Sequence, residues 1–320
     1  MDGWVGPAMT RPVPEKCPPA CSDLMADRRY EFARDLQLKG DLAAAADLLE
    51  QAVELAPKFA SAWFTLGNIR QQRGEREAAI AAFREARDAN PDDHHGATLH
   101  LMQLGAEEIS AMPSAYVKAL FDQYAPRFEA ALVGDLGYRG PALLFKAVLL
   151  VHAAAKKPAY FSRAIDLGCG TGLAAFAFAK NVDRFIGIDL SPRMIEKARA
   201  TALYAQLEVD DLLQGLRGRP ETSAELILAA DAMVYVADLS AVLAEAKRVL
   251  TAGGLLAFTA ETHAGEGVII GEGLRYAHAA AYVRAAVEAA DLKLSLLEDR
   301  SARTEDNIPV PGLVAVASKT

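Results

Sequence analysis

The sequence predicts an α/β protein: a seven-stranded, mostly parallel sheet in its second half, preceded by an all-α helical-repeat domain. Three observations lead there. Two alanine-rich helical segments repeat with a period of 34 residues before Pro91. From about residue 163 onward, short apolar runs alternate with helical stretches. A glycine-dense turn, "DLGCGTG" at residues 166–172, follows the first of those runs.

The repeat is read from paired positions. Leu36, Gly40, Ala45, Ala52 and Pro57 recur as Arg70, Gly74, Ala79, Ala86 and Pro91, so four of the five pairs keep their residue type. Gly40 and Gly74 fall where the chain must turn between two helices, and Ala45 and Ala79 allow those helices to approach closely. Pro57 and Pro91 stop the second helix of each unit. The second unit, "AWFTLGNIRQQRGEREAAIAAFREARDANP", resembles a tetratricopeptide repeat through Trp63, Leu66, Gly67, Ala79, Phe83, Ala86 and Pro91. Two such units leave an apolar end uncovered, so "HHGATLHLMQLG" (94–105) is expected to be a capping or degenerate third helix.

The sheet is read from alternation. The runs "RAIDLG", "RFIGIDL", "QLEVDD", "ELILAAD", "GGLLAFTAE", "LKLSLLED" and "GLVAVASK" are the expected strands. Helices are expected between them at about 172–180, 192–202, 239–250 and 278–290. This is the pattern of β-α-β units with helices on both faces. The short "RSARTEDNIPVP" link makes the last two strands an antiparallel hairpin at the sheet edge. The expected organisation is a proline-rich disordered tail at 1–24, a helical-repeat domain at 25–110, a helical lid or linker at 111–160 and the sheet domain at 161–320.

Composition narrows the function. The 320 residues are 52% hydrophobic and 24% charged, with net charge −8. That balance suits a water-soluble globular protein and disfavours electrostatic wrapping of nucleic acid. There is neither an apolar run of membrane-spanning length nor a secretory leader pattern, and a cytoplasmic location is expected. Cys17, Cys21 and Cys169 make no disulfide framework, and no metal motif is evident. His94 and His95 read as loop residues.

The glycine turn raises the question of its ligand. A dinucleotide fold uses G-x-G-x-x-G and rests a pyrophosphate on a helix N-terminus. Here the spacing is Gly168-x-Gly170-x-Gly172, and the strand before it ends in Asp166. A carboxylate beside a pyrophosphate repels it; beside an ammonium group it attracts. Asp189 ends the next strand, where an acid accepts hydrogen bonds from ribose hydroxyls. Together they describe a ligand with a ribose and a cationic group, such as S-adenosylmethionine.

"DLGCGTG" with "GIDLS" resembles the cofactor site of Rossmann-like S-adenosylmethionine-dependent methyltransferases, over about residues 113–318. The whole chain is similar to bacterial tetratricopeptide-containing methyltransferases. The resemblance implies that Asp166, Gly168, Gly170 and Gly172 hold the methionine end and that Asp189, followed by Leu190, holds the ribose. It implies that Asp211 binds the adenine amino group, with the Leu212 N–H reaching the ring, and that Ala230 and Asp231 line the methyl side. "FDQYAPRFEAAL" resembles a helix that folds aromatic residues over the cofactor, here Tyr124 and Phe128; packing on the sheet is the alternative. Arg139 is a candidate for the methionine carboxylate. S-adenosylhomocysteine is the implied product.

The acceptor side is expected beyond the ends of strands four and five. His263, His278 and Tyr235 are the candidate catalytic residues there, and Glu261, Arg275 and Tyr276 the candidate substrate contacts. Each has a structural alternative: Arg275 could pair with a nearby carboxylate, and a loop histidine could simply face solvent. Cys169 reads as a small residue required by the turn. The acceptor, a small molecule or a protein, is not specified, and the repeats are expected to bind a protein partner or a second copy. A cofactor-binding adaptor without turnover is the alternative function. A nicotinamide oxidoreductase is opposed by Asp166 and the glycine spacing.

Overall fold

The structure is a computed structural model that describes residues 23–127, 137–305 and 307–320. It divides into two compact units. The first runs through Ala119; the second comprises Leu120–Gly271 and Arg275–Thr320.

The first unit is helical: α1 (Leu24–Leu38), α2 (Leu42–Leu55), α3 (Ala60–Gln72), α4 (Arg76–Ala89), α5 (Ala97–Gln103) and the start of α6 (Ser114–Tyr124). Asp23 and Asp41 cap α1 and α2 by accepting from backbone N–H groups of the first turn. Gly40 (φ +83°) and Gly74 (φ +77°) make the left-handed turns that fold each helix pair back on itself. Ala45, Leu49, Ala52, Phe59, Ala62, Leu66 and Ile69 form one core, and Phe64, Ala79, Ile80, Phe83 and Leu101 the next. The close approach of α3 and α4 depends on Gly67, where a Cβ would stand 2.7 Å from the Phe83 ring.

The short α5 is capped by Asp93, whose carboxylate accepts from Ala97 N–H (2.7 Å) and Thr98 N–H (2.8 Å). His100 on α5 stacks on Phe83 with centroids 4.5 Å apart. His95, expected in a loop, is half-buried. It lies 3.1 Å from Ser61 Oγ, and burial lowers its pKa to about 4. It is therefore a neutral packing group at pH 7.

The second unit opens with α7 (Gly140–Ala154) and continues through β1 (Phe161–Leu167), α8 (Leu173–Phe178), β2 (Val182–Asp189), α9 (Pro192–Ala200), β3 (Tyr204–Val209), α10 (Leu212–Arg217) and β4 (Ala224–Ala229). Next come α11 (Ser240–Val249), β5 (Leu250–Glu261), β6 (Val268–Ile270), β7 (Tyr276–His278), α12 (Ala280–Ala289), β8 (Lys293–Asp299), β9 (Thr304–Glu305), β10 (Ile308–Pro309) and β11 (Gly312–Ser318). The main sheet has the order β3-β2-β1-β4-β5-β11-β8. Its first five strands are parallel, and β11 is antiparallel to both neighbours.

Side chains alternate across β4. Ile227 and Ala229 face the layer of α11 and α12, with Val242, Leu243, Val283 and Val287. Leu226 and Leu228 face the opposite layer, with Leu144, Val148 and Phe178 from α7 and α8. Thus α7, expected to belong to a lid or linker, is one of the helices that cover the sheet. Its apolar face makes it part of that core. The order of the strands reverses between β1 and β4, and open α/β sheets bind ligands in the crevice at such a switch point. No helix among the described residues is long and apolar enough to cross a membrane.

Candidate active site at the sheet switch point

The glycine turn leaves β1 at this reversal. Gly168, Gly170 and Gly172 all have positive φ (+64°, +52° and +98°), which a side chain would strain. The turn is tied to β2: Gly168 and Cys169 N–H both donate to Ile188 O, at 2.8 and 3.0 Å. Asp189 then fastens both sides of the crevice, with Oδ2 accepting from Gly170 N–H and Oδ1 from Ser191 N–H, each at 2.8 Å. Cys169 is a free, buried thiol whose pKa is pushed up by burial, which makes it a poor nucleophile at neutral pH.

Asp166 is 1% exposed, and its Oδ2 accepts from the Tyr204 hydroxyl at 2.6 Å. Its Oδ1 is buried with no hydrogen-bond partner among the described residues, as is Thr171 Oγ1. Burial raises the Asp166 pKa to about 7; the Tyr204 hydroxyl works against that shift and the Asp189 charge adds to it. Burial likewise raises Asp189 to about 6, opposed by the Ser191 and Gly170 N–H groups. A buried acceptor without a donor is costly. An ammonium group beside Asp166 supplies the missing donor and the missing positive charge, so the residues present fit an amino-acid-bearing cofactor.

The surrounding residues complete the crevice. Asp211 caps α10 by accepting from Leu213 N–H at 2.9 Å, and the Leu212 side chain reaches the glycine turn. Leu190 is partly buried between Asp189 and Ser191, and Ala230 is partly buried at the end of β4. Tyr124 is buried. Phe128 lies outside the described residues. Arg139 is exposed and donates through Nε to Ser301 O at 3.0 Å, which commits it to the β8–β11 loop.

The ends of β4 and β5 carry a second set of charges. Arg275 Nε donates to Glu261 at 2.6 Å, and Arg275 Nη2 donates to Glu305. Arg303 is 2% exposed; its Nη1 donates to both Asp231 oxygens at 2.9 Å, and its Nη2 donates to Glu261. Burial alone would raise the Glu261 pKa, but Arg275 and Arg303 more than offset it and hold the carboxyl below its ordinary range. Arg275 and Glu261, expected as substrate contacts, are thus paired with each other, the alternative that sequence left open for Arg275.

The expected catalytic residues separate. His263 is half-buried; its ring nitrogens bond to Gly265 N–H (3.1 Å) and Gly267 O (3.3 Å). His278 is fully buried, with Nε2 2.9 Å from Val236 O, and burial lowers its pKa. It pins the segment after β4 from within the wall. Tyr276 is buried in β7. Tyr235 stands at the crevice, its ring edge-on to Phe121 at 5.3 Å, with a pKa pushed up to about 12 by burial.

Sequence reasoning missed Tyr204, Asp122 and Arg303. Asp122 accepts from Ser191 Oγ at 2.6 Å, which fastens the end of α6 to the cap of α9. Its place in "FDQY" was the available signal. No group of three or more His, Cys, Asp or Glu is placed to hold a metal among the described residues.

The fold and crevice thus define a Rossmann-like methyltransferase architecture. Residues 164–254 match the family described as a methyltransferase domain, and residues 36–101 the family described as a tetratricopeptide repeat. The chain therefore combines a methyltransferase domain with tetratricopeptide repeats.

Its relatives carry related names. It is 32% identical over 109 residues to an aklanonic acid methyltransferase of Streptomyces sp. (strain C5), covering 32% of this chain and 50% of the relative. It is 33% identical over 114 residues to human methyltransferase-like protein 27, covering 35% and 45%. A ubiquinone biosynthesis O-methyltransferase of Xanthomonas oryzae pv. oryzae is 27% identical over 123 residues, covering 38% and 52%. The chain spans about half the length of the curated relatives it matches. Among solved structures, a SAM-dependent methyltransferase of Leishmania major aligns with a TM-score of 0.50 at 14% identity, covering 62% of this chain and 80% of that one, a likeness of fold.

Proposed function

We propose that the second unit is an S-adenosylmethionine-dependent methyltransferase, with its cofactor at the β1–β4 switch point. One observation carries the reading: the buried, partnerless Asp166 Oδ1 beside the backbone of the glycine turn. When bound, the cofactor supplies a methyl group already activated on a sulfonium.

The chain's own residues bind and orient. Asp166 takes the ammonium, and Gly168, Gly170 and Gly172 let the methionine portion lie against backbone. Each Asp189 oxygen accepts one N–H, which leaves lone pairs for ribose hydroxyls. Asp211 and Leu212 flank the adenine, and Ala230 the methyl side. Tyr235 lines the acceptor face, with Phe121 packed on it. Such a site accelerates transfer mainly by alignment, which is worth an effective molarity of about 10⁵–10⁸ M in favourable cases.

The acceptor is a small molecule or a protein; the repeats serve a protein partner or a second copy of this chain. A reducing cytoplasm is the assigned setting, supported by the unpaired thiol of Cys169. Titration with S-adenosylhomocysteine and, separately, NAD tests the reading. Adenosylhomocysteine at about 100 times its Kd should stabilise the unit by about 2.7 kcal/mol. Stabilisation by NAD alone would overturn the assignment.

A further inference from the structure

The loop between β8 and β11 sends Arg303 inward, and the proposed chemistry leaves that side chain without a task. Its guanidinium grips both oxygens of Asp231 at 2.9 Å, donates to Glu261, and reaches Glu305 at 3.3 Å. The loop itself is fastened: Arg139 N–H donates to Ala302 O at 2.8 Å, and Ser301 Oγ donates to Arg303 O at 2.6 Å.

Asp231 has an unusual backbone. Its φ is +59°, the left-handed region that most residues with a Cβ avoid. Such a conformation persists where surrounding contacts over-determine it. Here two do so, Arg303 Nη1 bridging the two oxygens of its carboxylate and Thr259 Oγ1 accepting its N–H at 2.8 Å. The next residue, Ala232, packs its methyl on Gly168 so closely that a Cβ at Gly168 would lie 2.8 Å from it. Gly168 is the first glycine of the turn. A continuous series of contacts therefore runs from Arg303 through Asp231 and Ala232 to Gly168.

We propose that Arg303 is a positioning residue for the cofactor turn: its Nη1, shared by both oxygens of Asp231, keeps that residue left-handed, which seats Ala232 under Gly168 and fixes the shape of the turn. The inference rests on the cofactor reading above and adds a residue from a loop far along the chain. Lysine cannot substitute, because one ammonium cannot place three nitrogens of a rigid plane on Asp231, Glu261 and Glu305 at once. The cluster contains three carboxylates and two guanidiniums, so removing Arg303 together with the Asp231 carboxylate leaves its net charge unchanged.

The experiment compares Arg303→Met, Arg303→Met/Asp231→Gly and Arg303→Met/Asp231→Ala in the full chain. Adenosylhomocysteine binding is measured by calorimetry, and amide hydrogen exchange at residues 168–172 without ligand. Glycine takes a positive φ freely and alanine does not. Arg303→Met should raise Kd about tenfold or more and speed exchange in the turn, and the Gly double variant should return exchange close to wild type and bind more tightly than the Ala double variant. The Ala double variant should stay impaired. Should Arg303→Met fail to fold, the two charge-balanced double variants decide between them. Equal behaviour of the Gly and Ala doubles, or wild-type binding and exchange in Arg303→Met, overturns the proposal. If the wild-type chain binds no adenosylhomocysteine, the cofactor reading falls, while the exchange comparison still judges the contact series.

Discussion

Two sets of carboxylates stand in the second unit, and they are kept in opposite ways. Asp166 and Asp189, at the ends of β1 and β2, are buried with no guanidinium against them among the described residues, and burial raises them to about 7 and about 6. Asp231, Glu261 and Glu305, near the ends of β4 and β5, face the buried Arg275 and Arg303. An acid held without a counter-charge is a place prepared for a cationic ligand. An acid already matched is part of the frame. Proximity to a crevice does not separate these roles; the charge accounting does.

Breaking the matched set should have the largest effect. Arg303→Met leaves three acids against one guanidinium, and loss of one partner of a buried pair costs about 3–5 kcal/mol, read by chemical denaturation. The unmatched set should respond in the opposite direction. Asp166→Asn should stabilise the ligand-free protein by roughly 1–3 kcal/mol at pH 8, because a buried carboxylate without a counter-charge is removed. It should also weaken adenosylhomocysteine binding about tenfold or more, by calorimetry. Destabilisation of the ligand-free protein by Asp166→Asn would erase the contrast.

The pH dependence sharpens the same point. A carboxyl whose folded pKa is raised binds more protons in the folded state than in the unfolded one. Between about 4, the unfolded value, and about 7, its contribution to ligand-free stability therefore falls as pH rises. Ligand affinity should move oppositely, because the ammonium needs the ionised acid. Adenosylhomocysteine should bind about tenfold more tightly at pH 8 than at pH 5.5. Tyr204→Phe removes the hydroxyl that donates to Asp166 and should move that binding transition to higher pH, with about 1 kcal/mol lost in affinity. Smallest is Ser191→Ala, which removes the α9 cap and the tie to Asp122 and should cost about 0.5–1 kcal/mol in stability, read by thermal unfolding.

The sequence made the frame legible wherever local chemistry announced it. The seven long strands stand out as apolar runs between turns, and the two repeats through Gly40, Gly74 and their alanines. The small elements were hidden. β6 and β7 are three residues each inside a glycine-rich stretch that reads as loop, and α10 is a single six-residue helix after Asp211. The glycine turn and its two strand-end acids could be found because type and position coincide. Tyr204 could not, since a tyrosine opening a strand reads as packing. Arg303 was least visible: "RSARTEDN" has the polarity of a solvated loop, and only the fold turns one of its arginines inward. Arg275 could be read either as a substrate contact or as half of an ion pair, because its partners Glu261 and Glu305 lie fourteen and thirty positions away.

The placement of β11 between β5 and β8 carries a consequence for synthesis on the ribosome. β8 has no neighbour in the main sheet until Gly312–Ser318 has been laid down, so the stretch bearing Arg303 emerges before the strand that anchors it. The β1–β2 strand pair, complete by Asp189, can form early. Glu261 and Asp231 take their bonds to Arg303 from that late stretch, so the charge-matched half of the crevice needs it to be complete.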